Sequence, residues 1–330
     1  MEPQTRQALL TALSAVVAVL AAFYLELDNP WWAAISTVAV SHGDRHQLLL
    51  KSAMRMVATV VGIGLGFFLA SITLDEAVLQ AIVLFVCSFF ANRQRFLSRF
   101  SYAWMLGVMM ILMMMYVGIT DPSDLRTFAY ARILEVTLGV IVVCFVNLAI
   151  PGAVASPTSA VPTSGDRVEI DRIALMAGTM SVLLPLLWSW LELPSLIEIA
   201  VTILVMLDRD VLRTRWRAGL RILGCVCGGA MGLFFVALQV QILPLWALMF
   251  FFGIFFFARI HHGEGRFAYL GYQGILAMIF TMVTGSGPPD SIMPVVDRFS
   301  GIFFGVLLVV ALSFVFAPPE RAEEAEAEGR

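Results

Sequence analysis

The chain has 330 residues, of which 60% are apolar and 14% are charged, and its mean hydropathy is +0.88. Soluble domains contain roughly 45–50% apolar and about 25% charged residues, so the composition indicates an integral membrane protein. The formal net charge is -3 and Lys51 is the single lysine. These two features exclude a nucleic-acid-binding protein and a P-loop ATPase.

Apolar segments of about 20 residues can cross a bilayer as helices, and charged clusters and prolines separate such segments here. In the first half we predict spans at 7–25, 30–40, 52–72, 77–91, 101–119 and 128–150. The second and fourth are short, so each would have to thin the bilayer or be shielded by neighbouring helices. With a similar second half, the sequence predicts an all-α integral membrane protein of about twelve transmembrane helices.

The distribution of basic residues gives the expected orientation. If all segments cross, the loops on one side contain most arginines and Lys51, whereas the turns on the other side are mainly acidic. Positively charged loops are typically cytoplasmic. We therefore expect a multi-pass protein of the bacterial inner membrane with both termini in the cytoplasm.

An internal repeat organises the chain. A shift of 166 residues superimposes the two halves without a gap over the first three spans. The matched pairs are Arg6/Arg172, Glu26/Glu192, Asp44/Asp210, Arg55/Arg221, Gly62/Gly228, Gly66/Gly232, Pro122/Pro288, Arg132/Arg298 and Gly139/Gly305. Because six crossings restore the original orientation, the repeats are predicted to be parallel, with a substrate site at their interface. The predicted units are a repeat at 1–150, a cytoplasmic linker at 151–171, a repeat at 172–317 and an acidic tail at 318–330.

Two sequence blocks resemble a known family. The run NPWWAAISTVAV (29–40) is followed by basic residues and by RMVATVVGIGLG (55–66), and a second block contains FSYAW (100–104) and RILEVTLG (132–139). These blocks are similar to the fusaric acid resistance (FUSC), or aromatic acid exporter, superfamily. Its usual R-x-x-G-T-x-x-G-x-x-x-G pattern has a glycine where this chain has Ala58. The large soluble domains of many members are absent from this sequence.

The resemblance implies an inner-membrane efflux transporter for hydroxylated aromatic carboxylic acids or related toxic organic acids, driven by the proton motive force. It also implies a periplasmic adaptor (membrane fusion) protein and an outer-membrane channel as partners, besides the substrate and membrane lipid. No cofactor, metal site or catalytic residue is predicted. A passive organic-anion channel, a non-transporting subunit of an efflux assembly and a membrane-embedded enzyme are the alternatives.

Arg55 and Arg221 are the first candidates for substrate binding. They occupy equivalent positions near the cytoplasmic ends of the third and ninth spans. A guanidinium group matches a carboxylate in a two-pronged geometry, so the pair could draw an organic anion between the halves. Alternatively, both arginines extend towards lipid headgroups as simple anchors.

Three further charged residues are candidates for proton coupling: Arg132, Glu135 and Glu198. Arg132 and Glu135 are three residues apart on one helix face near the outer end of the sixth span, so they can form a pair. Gly301 stands at the position equivalent to Glu135, and the pair is therefore not expected in the second half. A structural ion pair is the alternative role.

Aromatic residues supply the other half of the predicted substrate site: Trp31, Trp32, Tyr102 and Trp104, with Tyr269 and Tyr272 in the second half. They could stack on an aromatic acid and bind its hydroxyl group, although tryptophan and tyrosine also form interfacial belts. The glycine runs at 62–66 and 228–232 lie inside apolar spans, which predicts close helix packing rather than phosphate binding. His261 and His262 are candidates for sensing cytoplasmic pH.

Overall fold

The computed structural model describes residues 2–74, 76–150, 167–193, 195–207, 211–240, 242–263, 265–285 and 293–315, and within these ranges the fold is all helical, as predicted. The α-helices are α1 (Pro3–Tyr24), α2 (Trp31–Val40), α3 (Arg45–Thr73), α4 (Ala77–Leu97), α5 (Ser101–Thr120), α6 (Leu125–Ala149), α7 (Arg167–Leu191), α8 (Leu196–Met206), α9 (Val211–Ala237), α10 (Leu243–His261), α11 (Ala268–Met282) and α12 (Met293–Val315). Residues 151–166 of the predicted linker (151–171) and the acidic tail at 318–330 lie outside the described residues.

Helix length separates two groups of helices. Eight helices in the described ranges are long and apolar enough to cross a membrane, whereas α2, α8 and α11 are shorter. The prediction of a short second segment is confirmed, since α2 has 10 residues. The prediction of a short fourth segment is wrong, since α4 has 21 residues. The helix continues past the apolar segment because polar side chains at its C-terminal end form hydrogen bonds and an ion pair. Asn92 bonds to the Ser88 carbonyl and Arg93 pairs with Asp171.

The start of α7 corrects the predicted linker boundary. The helix begins at Arg167, so the last residues of the linker expected at 151–171 are helical. Glu169 lies in the first turn, where a carboxylate interacts favourably with the positive end of the helix dipole. Asp171 extends from the next turn to Arg93 of α4.

The helix contacts of the first half recur in the second half between the helices whose numbers are six higher. In the first half α3 packs on α5 and α2 on α6, and in the second half α9 packs on α11 and α8 on α12. Between the halves, α4 packs on α7 and α10 on α1. Glu26 and Glu192, one residue pair of the repeat, both have a positive φ. The two large clusters of buried apolar side chains each combine residues of both halves, so this pattern agrees with the interface that the repeat predicts.

The arginine-rich segments meet at one end of the bundle, which we call the basic end. Four polar contacts join it: Arg6 to the Ile150 carbonyl at 3.1 Å, Arg93 to Asp171 at 2.6 Å, Arg95 to the Leu204 carbonyl at 2.7 Å and Arg259 to Glu2 at 3.8 Å. The opposite end, called the acidic end, contains Glu26 and Asp28 beside Arg126. Segments that the positive-inside rule assigns to one side thus lie at one end.

A polar contact between α1 and the end of α10 joins the halves at the basic end. Thr11 Oγ1 lies 2.9 Å from His262 Nε2 and 2.7 Å from Ser41 Oγ. Burial, reinforced by the charges of His261, His42 and Lys51, lowers the pKa of His262 to about 3. His262 is therefore neutral at physiological pH, and its ring serves as a packing and hydrogen-bonding group.

The glycine runs bring helices into close contact, which confirms that prediction. A methyl group at Gly62 would lie 2.8 Å from the Gly107 carbonyl oxygen of α5 and equally close to Met110 Cβ, whereas one at Gly64 would meet no atom within 4 Å. In the second half Gly228 faces Gly274 of α11 in the same way. The α3–α5 and α9–α11 contacts therefore depend on the absence of a side chain.

We expect Gly62→Ala to destabilise the protein by about 1–3 kcal/mol, since the added methyl group forces α3 and α5 apart. Gly64→Ala is the matched control and should be neutral or stabilising by up to about 1 kcal/mol, because alanine is the better helix former. Thermal unfolding in detergent measures both effects. Equal destabilisation by the two substitutions would contradict the packing described here.

We also expect stability to fall by about 1 kcal/mol between about pH 6.5 and about pH 5.5 through His262. Its folded-state pKa is lower than the usual value of about 6.5 for the unfolded chain, so acid protonates the unfolded chain first. His262→Asn should show a smaller loss of melting temperature over this range than the wild type. His46→Asn, an exposed control on α3, should retain the wild-type loss, and a wild-type loss in His262→Asn would refute the assignment.

Candidate functional site

Four of the arginines whose side chains the structure describes are largely buried inside the bundle. Arg55 on α3, Arg132 on α6 and Arg221 on α9 are 3%, 1% and 4% exposed, and the side chain of Arg298 on α12 is 12% exposed. A charge inside a membrane costs at least about 2.5 kcal/mol. The four therefore need compensating partners, and those partners divide them into two clusters.

The first cluster lies towards the basic end and consists of Arg55, Tyr102, Arg221, Tyr269 and Tyr272; we call it the arginine–tyrosine cluster. Arg55 Nη1 donates to the Tyr102 hydroxyl at 3.0 Å. Arg221 Nη1 donates to the Tyr269 hydroxyl at 3.5 Å. Tyr102 is the second residue of α5, and Tyr269 is the second residue of α11. The charges of both arginines also act on Tyr272, which lies one turn further along α11. The structure thus brings the two predicted anion-binding arginines into one region.

Neither arginine of this cluster pairs with a carboxylate among the described residues, whose ion pairs all involve other arginines. The Nε atoms of Arg55 and Arg221 are buried without a hydrogen-bond partner. Arg221 Nη2 donates to Thr202 Oγ1 at 3.0 Å, in the middle of α8. Hydroxyl groups are thus the compensation that these two charges receive from the described part of the chain.

The second cluster lies towards the acidic end and contains Trp31, Trp32, Arg132, Glu135, Glu198 and Arg298; we call it the arginine–tryptophan cluster. Arg132 Nη1 lies 3.0 Å from Glu135 Oε2, and both side chains are at most 1% exposed. The guanidinium group lies 4.5 Å from the Trp32 ring and 4.6 Å from Phe128, which favours the cation further.

Arg298 makes the corresponding contacts in the second half. Its Nε lies 3.9 Å from Glu198 Oε1, and its guanidinium group is 4.1 Å from the Trp31 ring and 4.9 Å from Phe280. Because Trp31 and Trp32 are neighbours on α2, they bring the two arginines together, and the charges of Arg298 and Glu198 act on Arg132.

Both carboxylates of this cluster lie at the N-terminus of a short helix. The backbone N–H of Asn29, just before α2, donates to Glu135 Oε1 at 2.7 Å, and Glu198 is in the first turn of α8. The positive end of a helix dipole stabilises a negative charge. Short buried helices with their N-termini aimed at anionic groups are a recurrent device at transporter binding sites.

The Arg132–Glu135 pair is not repeated at the equivalent positions, where Gly301 replaces the acid, but Arg298 has a carboxylate neighbour from another helix. Glu198 supplies the acid from α8, whereas Glu135 supplies it from α6 in the first half. The shift of 166 residues puts Glu198 at the position of Trp32. The aligned sequences therefore show a tryptophan replaced by a glutamate, and they do not reveal that this glutamate takes over the role of Glu135. The involvement of Arg298 was missed for the same reason.

The predicted aromatic set is divided by the structure. Tyr102 lies beside Arg55, but Trp31 and Trp32 belong to the other cluster. Trp104 packs edge-on against Phe90 with ring centroids 5.7 Å apart, and Phe90 is 51% exposed. Trp104 therefore lies towards the outer surface of the bundle, and its described contacts do not include either arginine cluster.

Histidines connect the arginine–tyrosine cluster with the loops of the basic end. The ring of His261 lies 4.8 Å from His262 and 5.2 Å from Tyr272, and its Nδ1 is 3.2 Å from the Ala268 carbonyl. Among the described residues, no group of three or more His, Cys, Asp or Glu side chains could hold a metal ion. The clusters therefore offer charge, hydroxyl groups and aromatic rings as their means of binding.

Comparison with known proteins gives consistent results along the chain. The sequence models of the "Fusaric acid resistance protein family" and of "Fusaric acid resistance protein-like" match residues 4–166 and 181–315. A protein named "Uncharacterized transporter YdhK" from Escherichia coli (strain K12) is 29% identical over 148 residues, and one of the same name from Salmonella typhimurium is 28% identical. The match to the E. coli protein covers 42% of this chain and 21% of that protein. No solved structure matches significantly.

Two matches of one family, on either side of 167–180, correspond to the two halves of the helical bundle. The eight long apolar helices among the described residues indicate a multi-pass membrane protein. The chain belongs to the fusaric acid resistance protein family.

Proposed function

We propose that this protein exports small, hydroxylated aromatic carboxylic acids, or related toxic organic acids, from the bacterial cytoplasm across the inner membrane. The observation that carries this proposal is the pair of buried arginines, Arg55 and Arg221, with tyrosine hydroxyls and no described carboxylate partner. A buried positive charge favours an anionic ligand. The basic end, where this cluster lies, is the side that the positive-inside rule assigns to the cytoplasm.

The chemistry of the arginine–tyrosine cluster fits an aromatic acid. A guanidinium group binds a carboxylate through two parallel hydrogen bonds, and Arg55 and Arg221 each have a buried N–H without a partner. Tyrosine offers both a ring for stacking and a hydroxyl for hydrogen bonding. Tyr102, Tyr269 and Tyr272 would thus bind the ring and the phenolic hydroxyl of the substrate while the arginines bind its carboxylate.

Proton coupling is proposed for the arginine–tryptophan cluster. Glu135 and Glu198 are the carboxylates beside Arg132 and Arg298 near the acidic end, the side from which protons enter down their gradient in the proposed orientation. Protonation of a carboxylate frees the neighbouring arginine for another anion, and deprotonation restores the ion pair. This exchange links proton entry to substrate exit.

A periplasmic adaptor protein and an outer-membrane channel are the proposed partners for carrying the acid across the cell envelope. This part of the proposal rests on the family resemblance. A non-transporting subunit of such an assembly is the competing role, and the purified chain reconstituted alone would then move no substrate.

The first prediction concerns uptake of labelled 4-hydroxybenzoate into everted membrane vesicles, in which an exporter accumulates its substrate. We expect Arg55→Gln and Arg221→Gln each to lower the initial rate by about 10–100-fold, since each removes charge-assisted hydrogen bonds worth roughly 1.5–3 kcal/mol. Arg45→Gln, an exposed control ten residues earlier along α3, should transport normally. Wild-type rates in both buried-arginine variants, at equal protein abundance, would refute the binding role.

The second prediction separates proton coupling from passive flow. A protonophore should abolish accumulation by the wild type. Glu135→Gln should permit exchange of labelled for unlabelled substrate but no net accumulation. The variant has no carboxyl group at this position that can bind a proton on one side and release it on the other. If the substrate only equilibrates across the vesicle membrane, and if the protonophore has no effect on this at a clamped membrane potential, the protein would instead be a passive anion channel. Glu76→Gln, which removes one negative charge at an exposed position just before α4 and away from the cluster, serves as a control for altered net charge.

A further inference from the structure

The two ion pairs of the arginine–tryptophan cluster differ in how firmly they are held. Arg132 and Glu135 are 3.0 Å apart and at most 1% exposed, and the Asn29 N–H holds Glu135 in place. Arg298 and Glu198 are 3.9 Å apart, with side chains 12% and 24% exposed. The first pair is therefore fixed, and the second is loose and accessible.

The second pair is loose because its carboxylate reaches Arg298 from a different helix. Glu135 is on the same helix as Arg132, whereas Glu198 reaches Arg298 from α8 across the space left by Gly301. A methyl group at Gly301 would lie 3.0 Å from Glu198 Cβ and 3.5 Å from Ser195 Cβ. The Ser195 hydroxyl donates to Glu198 Oε2, so one oxygen of the carboxylate is directed towards α8 and the other towards Arg298.

Arg298 thus retains binding capacity that the described chain does not use. Its Nη1 is buried without a hydrogen-bond partner, a feature that it shares with Nε and Nη1 of Arg132. Arg298 differs from Arg132 in that its ion pair is longer and more exposed. The guanidinium group lies 4.1 Å from the centre of the Trp31 ring and 4.9 Å from Phe280. An unpartnered N–H, a displaceable carboxylate and two aromatic rings are the groups that an aromatic carboxylate requires.

We propose that Arg298, Trp31 and Phe280 form a second binding site for an aromatic carboxylate near the acidic end, in which the ligand's carboxylate takes the place of Glu198 on Arg298. The Arg132–Glu135 pair lies outside this second site and supports the neighbouring Trp32. The inference rests on the proposed function, because it assigns the same class of ligand to a second position.

The two sites would differ in affinity for a physical reason. The arginine–tyrosine cluster has no carboxylate of its own among the described residues, so an incoming anion meets no internal competitor there. At Arg298 the anion must displace Glu198, which lowers its apparent affinity. A strong site towards the basic end and a weaker one towards the acidic end favour capture on one side and release on the other.

The test is equilibrium binding of labelled 4-hydroxybenzoate to the purified full chain in detergent. We expect a tight and a weak class of sites in the wild type, and the weak class alone in the Arg55→Gln/Arg221→Gln variant. Adding Glu198→Gln to that variant should tighten the remaining site about five-fold, because it removes the competing carboxylate of a partly exposed ion pair. Arg298→Gln should leave only the tight class.

Arg126→Gln is the matched control, since Arg126 is an exposed arginine at the same end that also lies over an aromatic ring, Tyr130. It should leave both classes unchanged. If Arg298→Gln fails to fold, Arg298→Lys keeps the charge but loses the two-pronged geometry and should weaken the same class.

The possible failures are distinguishable. A single tight class in the wild type that is lost in the Arg55→Gln/Arg221→Gln variant and unaffected by Glu198→Gln overturns the second site and leaves the proposed function standing. Absence of binding by the folded wild type overturns the proposed substrate class and this inference with it.

Discussion

The burial of four positive charges inside an apolar helical bundle is the constraint on which the arrangement of this protein depends. Arg132 and Arg298 are compensated by carboxylates and by aromatic rings above the guanidinium planes. Arg55 and Arg221 receive only hydroxyl groups from the described residues. Since an uncompensated buried charge is among the most costly features a membrane protein can have, Arg55 and Arg221 are the two buried charges that the described residues compensate least.

The short helices α2 and α8 connect the two clusters. At 10 and 11 residues they extend about 15 Å each, roughly half of a bilayer core. Their N-termini lie beside Glu135 and Glu198, and the middle of α8 lies beside Arg221. Negative groups thus lie at the positive helix ends. Neighbouring helices cover most of the α2 side chains, which allows a helix too short to span the bilayer to lie inside it.

Sequence reasoning recovered much of this architecture because apolar length, glycine spacing and charge bias are local signals. It identified the helix order, the shortness of α2, the close approach at Gly62 and the Arg132–Glu135 pair, whose members are one helical turn apart. It failed where the decisive contact joins distant segments. The helical end of α4 is stabilised by Asp171, and the acid beside Arg298 comes from α8; neither contact leaves a mark in the local pattern.

The comparison of the two halves shows how an internal repeat can change its chemistry while its scaffold stays constant. Gly139 and Gly305 let α6 and α12 approach α2 and α8 closely, against Ser36 in one half and Thr202 in the other. On this common frame the first half has Trp32 on the short helix and Glu135 on the long one, and the second has Glu198 and Gly301 at those positions. Each half keeps one carboxylate for its arginine, but a carboxylate on α8 can move with that helix, whereas one on α6 moves with its own arginine. Any motion of α8 relative to α12 therefore changes the Arg298–Glu198 distance directly, whereas the Arg132–Glu135 distance is set within α6 alone.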